Sequence, residues 1–133
     1  MKDLKASQVM VRPVVAAKRN ASARDIALQL LNGLYSGLPV TDDEGTVIGI
    51  VTELDLLGAV MSGKELVKTT AEELMTQNAI TAEKDTPVTE IVKIMKEKNI
   101  IRLPITDNGK LVGIVSRCDI LTSLIEPEFV AYR

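Results

Sequence analysis

The chain states the same pattern twice. Residues 9–43 align with 74–108 at an offset of 65, and, after one residue is dropped in a turn, 45–60 align with 109–124 at an offset of 64. Identical pairs include Met10/Met75, Ile26/Ile91, Leu38/Leu103, Pro39/Pro104, Thr41/Thr106, Asp42/Asp107, Gly49/Gly113, Val51/Val115 and Asp55/Asp119. Most other aligned apolar positions exchange one aliphatic for another. A duplicated sequence of this period folds as two like units, each too small to be a large domain alone. The stretch 63–71 reads as the linker, which divides the chain into a first repeat over 1–66 and a second over 67–133.

Each copy predicts the same order, β-α-β-β-α. A short apolar strand comes first, at 14–17 and 79–82. A helix follows, with Ser22 as N-cap of the first and Thr86 of the second, where Pro87 suits a first turn. Apolar residues at Ile26, Ala27, Leu30, Leu31 and Leu34, and at Val88, Ile91, Val92 and Met95, have helical spacing. Then come a strand at 38–41 or 103–106 and a hairpin turn at Asp42-Asp43-Glu44-Gly45 or Asp107-Asn108-Gly109. A second strand at 47–51 or 111–115 and a final helix from about Leu54 or Cys118 complete the copy. The fold class is α/β, or α+β in stricter classifications. Apolar residues make up 46% and aromatics only 2%, so the core is aliphatic.

Several function classes are disfavoured. The net charge is −2 and the pI about 5.2, so there is no basic footprint for nucleic acid. The chain has no His and one Cys. Without them no zinc cluster and no Ser-His-Asp or Cys-His arrangement can be built. No catalytic residue is assigned, and the protein is expected not to be an enzyme. Carboxylate chemistry remains open as an alternative, without a P-loop or metal-ligand cluster to support it. The lone Cys118 suits a reducing, cytoplasmic setting. No stretch approaches the roughly 18 apolar residues of a membrane span, and the first residues lack the apolar run of a signal peptide.

The residues with chemistry lie where a strand gives way to a helix. Thr52 and Ser116 occupy those junctions, and Asp55 and Asp119 follow three residues later. Two readings stand side by side. Thr/Ser-x-x-Asp is close to a capping box, which satisfies the free N–H groups of a helix start. The same start attracts a phosphate, and a nearby carboxylate accepts hydrogen bonds from a ribose. Gly49 and Gly113, inside strands, mark either close packing or room for a ligand, and packing is the simpler account.

The order of elements and two segments, Leu38-Pro39-Val40-Thr41-Asp42 leading to Gly49-Ile50-Val51-Thr52-Glu53-Leu54-Asp55, and Leu103-Pro104-Ile105-Thr106-Asp107 leading to Gly113-Ile114-Val115-Ser116-Arg117-Cys118-Asp119, resemble the CBS domain. A tandem pair resembles a Bateman module. The resemblance implies two repeats packed about a pseudo-twofold axis, with clefts that receive AMP, ADP, ATP, S-adenosylmethionine or NAD as a regulatory ligand and no obligatory cofactor. It assigns phosphate contact to the Thr or Ser and ribose contact to the Asp, and it shares each cleft between repeats. Site A then combines Thr52 and Asp55 with Ile80, Ile100, Ile101 and Arg102. Site B combines Ser116 and Asp119 with Val15, Tyr35, Ser36 and Gly37. Taken singly, the aliphatic members read as core packing.

Arg102 stands where γ subunits of AMP-activated kinase carry a phosphate-binding Arg. A surface arginine is the competing reading. Copy one has Gly37 there, and Arg117 beside Ser116 is the residue able to compensate. Glu53 takes that place in copy one, a charge unfavourable to phosphate. The resemblance further implies a homodimer formed through helical faces carrying Leu56, Leu57, Val60, Ile120, Leu121 and Leu124. A module of this kind is expected to regulate a separate, unidentified protein or to act as its own sensor, and the charge and hydropathy argue against nucleic acid and membrane as partners. A structural or interaction module with unoccupied clefts is the alternative.

Overall fold

The structure is a computed structural model, and it describes residues 3–33 and 37–131. The chain divides into two compact units. One is contiguous, Val15–Ala79. The other is composite, Met1–Val14 together with Ile80–Arg133. The compact units therefore cut the chain at different places from the sequence repeats.

The contiguous unit carries a four-stranded sheet in the order β1-β2-β3-β4. Its strands are β1 (Ala17–Lys18), β2 (Gly37–Thr41), β3 (Val47–Thr52) and β4 (Thr76–Gln77). β1 runs parallel to β2, and the β2–β3 and β3–β4 pairs are antiparallel. Helices α2 (Ala23–Gly33), α3 (Glu53–Met61) and α4 (Ala71–Leu74) belong to the same unit. Ile26, Leu30, Leu38, Val40, Val51 and Leu56 form its core. The composite unit repeats the plan with β5 (Ala82–Glu83), β6 (Arg102–Asp107) and β7 (Lys110–Ser116). Its helices are α1 (Ala6–Val9), α5 (Val88–Lys98) and α6 (Arg117–Ala131). Val88, Ile91, Met95, Leu103, Ile105, Val115 and Ile120 form its core, with Ala6 and Val9 from the start of the chain.

The first strands are later and shorter than the apolar runs predict. Pairing begins at Ala17↔Val40 and at Ala82↔Ile105. In both copies that is one residue past a proline, Pro39 or Pro104, which has no N–H to give a ladder. Ser22 caps α2 as expected, accepting from the Asp25 N–H at 3.1 Å. Thr86 does not cap α5. The N-cap is Pro87, which has no side-chain cap bond, and the Val88 N–H donates instead to the Leu4 carbonyl at 2.9 Å. Leu56 and Ile120 are not on an open helical face: both are buried in the cores.

That Leu4 contact belongs to an exchange between copies. Ala6 N–H donates to Thr86 O (2.9 Å), and Ser7 N–H to Lys84 O (3.0 Å). Sixty-five residues on, Ala71 N–H donates to Ala21 O (2.8 Å), and Glu72 N–H to Arg19 O (2.9 Å). Each repeat's leading segment thus closes the helix start of the other repeat's unit. The identical pairs Met10/Met75 and Gly49/Gly113 belong to the same exchange. A Cβ on Gly49 would lie 2.6 Å from Met75 Sδ and 2.7 Å from the Thr76 carbonyl, and one on Gly113 would meet the Met10 side chain. The glycines admit a packed methionine, so the close-packing reading holds.

At Gly49 one obstacle is the backbone of β4. At Gly113 it is a side chain able to turn. Gly49→Ala is therefore expected to destabilise the fold by about 1–3 kcal/mol, and Gly113→Ala by less. Urea denaturation of the two variants checks the order, and the reverse order would contradict this account.

The hairpins differ by one residue. Asp107 pairs with Lys110 across Asn108-Gly109, both with positive φ (53° and 85°), the geometry of a two-residue type I′ turn. In the longer first turn Asp42 Oδ1 accepts from the N–H groups of Glu44 and Thr46, at 2.9 and 3.0 Å. Beside the second turn, Glu83 accepts from the Thr106 hydroxyl and from the Asn108 N–H. These bonds, the Thr106 bond first, hold its carboxyl below the usual carboxylate range. The Asp107 carboxylate, 3.1 Å from Lys84 Nζ, raises the lysine.

Candidate functional site

Both strand-to-helix junctions are built alike. Thr52 ends β3 and is the N-cap of α3. Its hydroxyl accepts from the Asp55 N–H at 3.3 Å, while Asp55 Oδ2 accepts from the Thr52 N–H at 2.8 Å and from its hydroxyl at 3.1 Å. Ser116 ends β7, and its hydroxyl accepts from the Asp119 N–H at 3.0 Å. Asp119 Oδ2 accepts from the Ser116 N–H at 2.8 Å. The capping reading is therefore realised twice, with aspartate in the usual place of glutamate. The four side chains are half-buried. In each copy the box uses Oδ2, and a carboxylate has a second oxygen with its own lone pairs.

The strand register places further site residues beside these boxes. Arg102 pairs with Ser116 across β6 and β7, and Gly37 pairs with Thr52 across β2 and β3. Paired residues project to the same face of a sheet. Arg102 is half-buried. A Cβ on Gly37 would lie 3.0 Å from the Val51 carbonyl and 3.4 Å from Thr52 Cγ2. Close approach to the Thr52 strand is thus one reason for glycine here. Arg117 is exposed. Its Nε donates to the Ile100 carbonyl at 3.0 Å, and its N–H to the Ile101 carbonyl at 3.1 Å. Glu53 is exposed at the first turn of α3.

The aliphatic members divide. Ile100 packs against the core of the composite unit. Val15, Ile80 and Ile101 do not pack away: they are 37%, 41% and 59% exposed. Apolar side chains left open in this way are available to a flat apolar ligand. Of site A, Thr52 and Asp55 lie in the contiguous unit, and Ile80, Ile100, Ile101 and Arg102 in the composite one. Of site B, Ser116 and Asp119 lie in the composite unit, and Val15 and Gly37 in the contiguous one. Tyr35 and Ser36, like Leu34 of the predicted helical stripe, lie outside the described residues.

Sequence reasoning also missed a cleft within the composite unit, of about 490 Å³, between α5 and α6. Its floor is apolar, with Val92, Met95, Ile120 and Leu121, and Lys96 and Arg117 stand on its rim. The signal was present in the sequence as lysines 93 and 96 on a helix whose counterpart carries Leu28 and Leu31. Among the described residues, no three His, Cys, Asp or Glu side chains gather to hold a metal. No helix there is long and apolar enough to cross a membrane.

Comparison with known proteins agrees with the architecture. The sequence profile of the CBS domain matches residues 6–62 and 71–126. An uncharacterized protein of Methanopyrus kandleri is 38% identical over 98% of this chain and 67% of its own length. The L-aspartate semialdehyde sulfurtransferase of Methanocaldococcus jannaschii is 34% identical over 84% of this chain, which spans only 21% of that protein. Among solved structures, the CBS domain pair of protein MJ0100 in complex with 5′-methylthioadenosine and S-adenosyl-L-methionine is 32% identical. It superposes with a TM-score of 0.77, covering 94% of this chain and 98% of that one. CBSX2 in complex with AMP is 25% identical, with a TM-score of 0.81, over 93% of this chain and 98% of that one. With the profile matched twice, on two units of like topology, this chain belongs to the CBS domain family and carries two CBS repeats.

Proposed function

We propose that the protein is a regulatory module that binds an adenosyl ligand, of the AMP, ADP and ATP class or S-adenosylmethionine or NAD, in clefts shared by its two repeats. The observation that carries this reading is the pair of half-buried Thr/Ser-x-x-Asp boxes at the starts of α3 and α6. The hydroxyl and the helix N–H groups face the phosphate end, and the second carboxylate oxygen of Asp55 or Asp119 takes the ribose. The exposed aliphatics Val15, Ile80 and Ile101 receive the adenine. Support also comes from the two related CBS pairs whose structures hold 5′-methylthioadenosine with S-adenosyl-L-methionine, and AMP. On this reading the module performs no catalysis, works as a homodimer in the cytoplasm, and passes its state to a separate protein.

A ligand present at about 100 times its dissociation constant is expected to stabilise the fold by about 2.7 kcal/mol, a clear rise in melting temperature. Differential scanning fluorimetry with AMP, ADP, ATP, S-adenosylmethionine, 5′-methylthioadenosine and NAD measures it. A flat response to all of them would leave a module with unoccupied clefts and end this reading.

A further inference from the structure

The α5–α6 cleft, about 490 Å³ within the composite unit, has an apolar floor and a basic rim. The floor is Val92, Met95, Ile120 and Leu121. The aligned residues of the first repeat, Ala27, Leu30, Leu56 and Leu57, are apolar too. The rim is not repeated. Lys96, Asn99 and Arg117 align with Leu31, Leu34 and Glu53. The first repeat forms the corresponding helices without these polar groups, so the fold does not require them. Their charge is also unspent. Lys96 and Arg117 are exposed, and neither joins an ion pair among the described residues. Arg117 gives Nε to the Ile100 carbonyl. That bond orients the guanidinium and leaves its two terminal nitrogens as donors. No residue lining the cleft is acidic. Because α6 begins at Arg117, the positive end of that helix lies at the same rim.

We infer that this cleft binds an amphipathic monoanion, a small molecule with an apolar chain or ring and one carboxylate. The apolar body covers Met95 and Ile120, and the carboxylate meets Lys96 and Arg117. The volume is that of a small-molecule site. Charge complementarity selects the class. A neutral apolar compound leaves the cations unanswered, an apolar cation is repelled by them, and a polyphosphate leaves the floor uncovered. All of these residues belong to one unit, so the site is separate from the proposed adenosyl clefts and does not depend on them.

Octanoate is the probe, with 1-octanol and octylamine as controls of equal chain length. In methyl-labelled protein, octanoate should shift the methyl resonances of Val92, Met95, Ile120 and Leu121 and leave those of Leu38 and Val40 in place. It should bind about tenfold or more tightly than octylamine. Lys96→Glu, at an exposed position, should weaken octanoate by about tenfold and 1-octanol by less than about twofold. Leu121→Ser, also exposed, should weaken both by about threefold or more. Melting curves establish that both variants fold. Equal affinity for octanoate and octylamine, or unchanged octanoate affinity in Lys96→Glu, removes the cations from the site and overturns the inference. So does the absence of shifts at the four floor residues, the result when a second copy or a protein partner fills the cleft. Shifts centred on Val15 and Ile80 overturn it as well. None of these failures touches the adenosyl reading, which the nucleotide melting shifts decide.

Discussion

Deletion of residues 1–11 is expected to melt the composite unit, with a net loss of about 3–5 kcal/mol. The segment precedes the first predicted strand. In the structure Ala6 and Val9 are buried in the core of the composite unit, and Leu4 and Met10 pack against it. A fully buried Val, Leu or Met side chain contributes roughly 1.5–3 kcal/mol, Ala6 and the partly buried Leu4 and Met10 contribute less, and the cost of ordering the backbone offsets part of the sum. The deletion also removes the acceptor of the Val88 N–H and the bridge between Val11 and Ile114. The loss is comparable with the whole stability of a small domain. Hydrogen exchange read by mass spectrometry localises it: protection of 88–105 and 111–115 should collapse while 38–41 and 47–51 keep theirs. Equal loss in both regions, or none, would refute the assignment of the segment.

Arg102→Ala is expected to weaken AMP binding ten- to a hundred-fold and adenosine binding far less. A hydrogen bond to a charged group is typically worth about 1.5–3 kcal/mol, and the guanidinium is a planar fork suited to phosphate. On the proposed reading Arg102 serves site A, whose counterpart in site B is Gly37, so the two clefts should differ most for phosphorylated ligands. The register adds a condition, because Arg102 also pairs with Ser116 of site B. Combining Arg102→Ala with Asp55→Asn or with Asp119→Asn identifies its cleft. Effects on AMP affinity fall short of additivity with the aspartate that shares a ligand and add with the one that does not. Titration calorimetry is the measurement. Unchanged AMP affinity in Arg102→Ala would remove the residue from the phosphate end altogether.

Much of this was legible because local rules and the repeat agreed. The strands over 38–41 and 103–106, the hairpin turns and the helix starts at Thr52 and Ser116 follow from alternation, positive-φ turn residues and capping chemistry. The capping box itself was legible as one of two readings. The exchange of leading segments was not. A period of 65 says that Met10 and Met75 do equivalent work, but it does not say on which repeat. That choice is made by tertiary contacts, Met75 on Gly49 and Met10 on Gly113. Thr86 misled because a threonine before proline looks like a cap, whereas the helix start was met by a distant carbonyl, Leu4 O. The open positions of Val15, Ile80 and Ile101 escaped notice because an aliphatic in an apolar run has no local mark of exposure.

The exchange has a consequence for the order in which the chain assembles. Topologically, residues 15–79 are an insertion within the other unit. Every contact they need among themselves is present once residue 79 has been made, so they are free to form first. Residues 4–11 are made before the contiguous unit, yet their hydrogen-bond partners begin at Lys84. These residues wait without those partners until the later segment is made. The wait costs little in equilibrium terms, since closure entropy grows slowly with loop length. It matters kinetically, because non-local pairing is slow and leaves apolar surface open in the interval. The composite unit is thus expected to complete its fold after the contiguous one, which pulse-labelled hydrogen exchange during refolding would check.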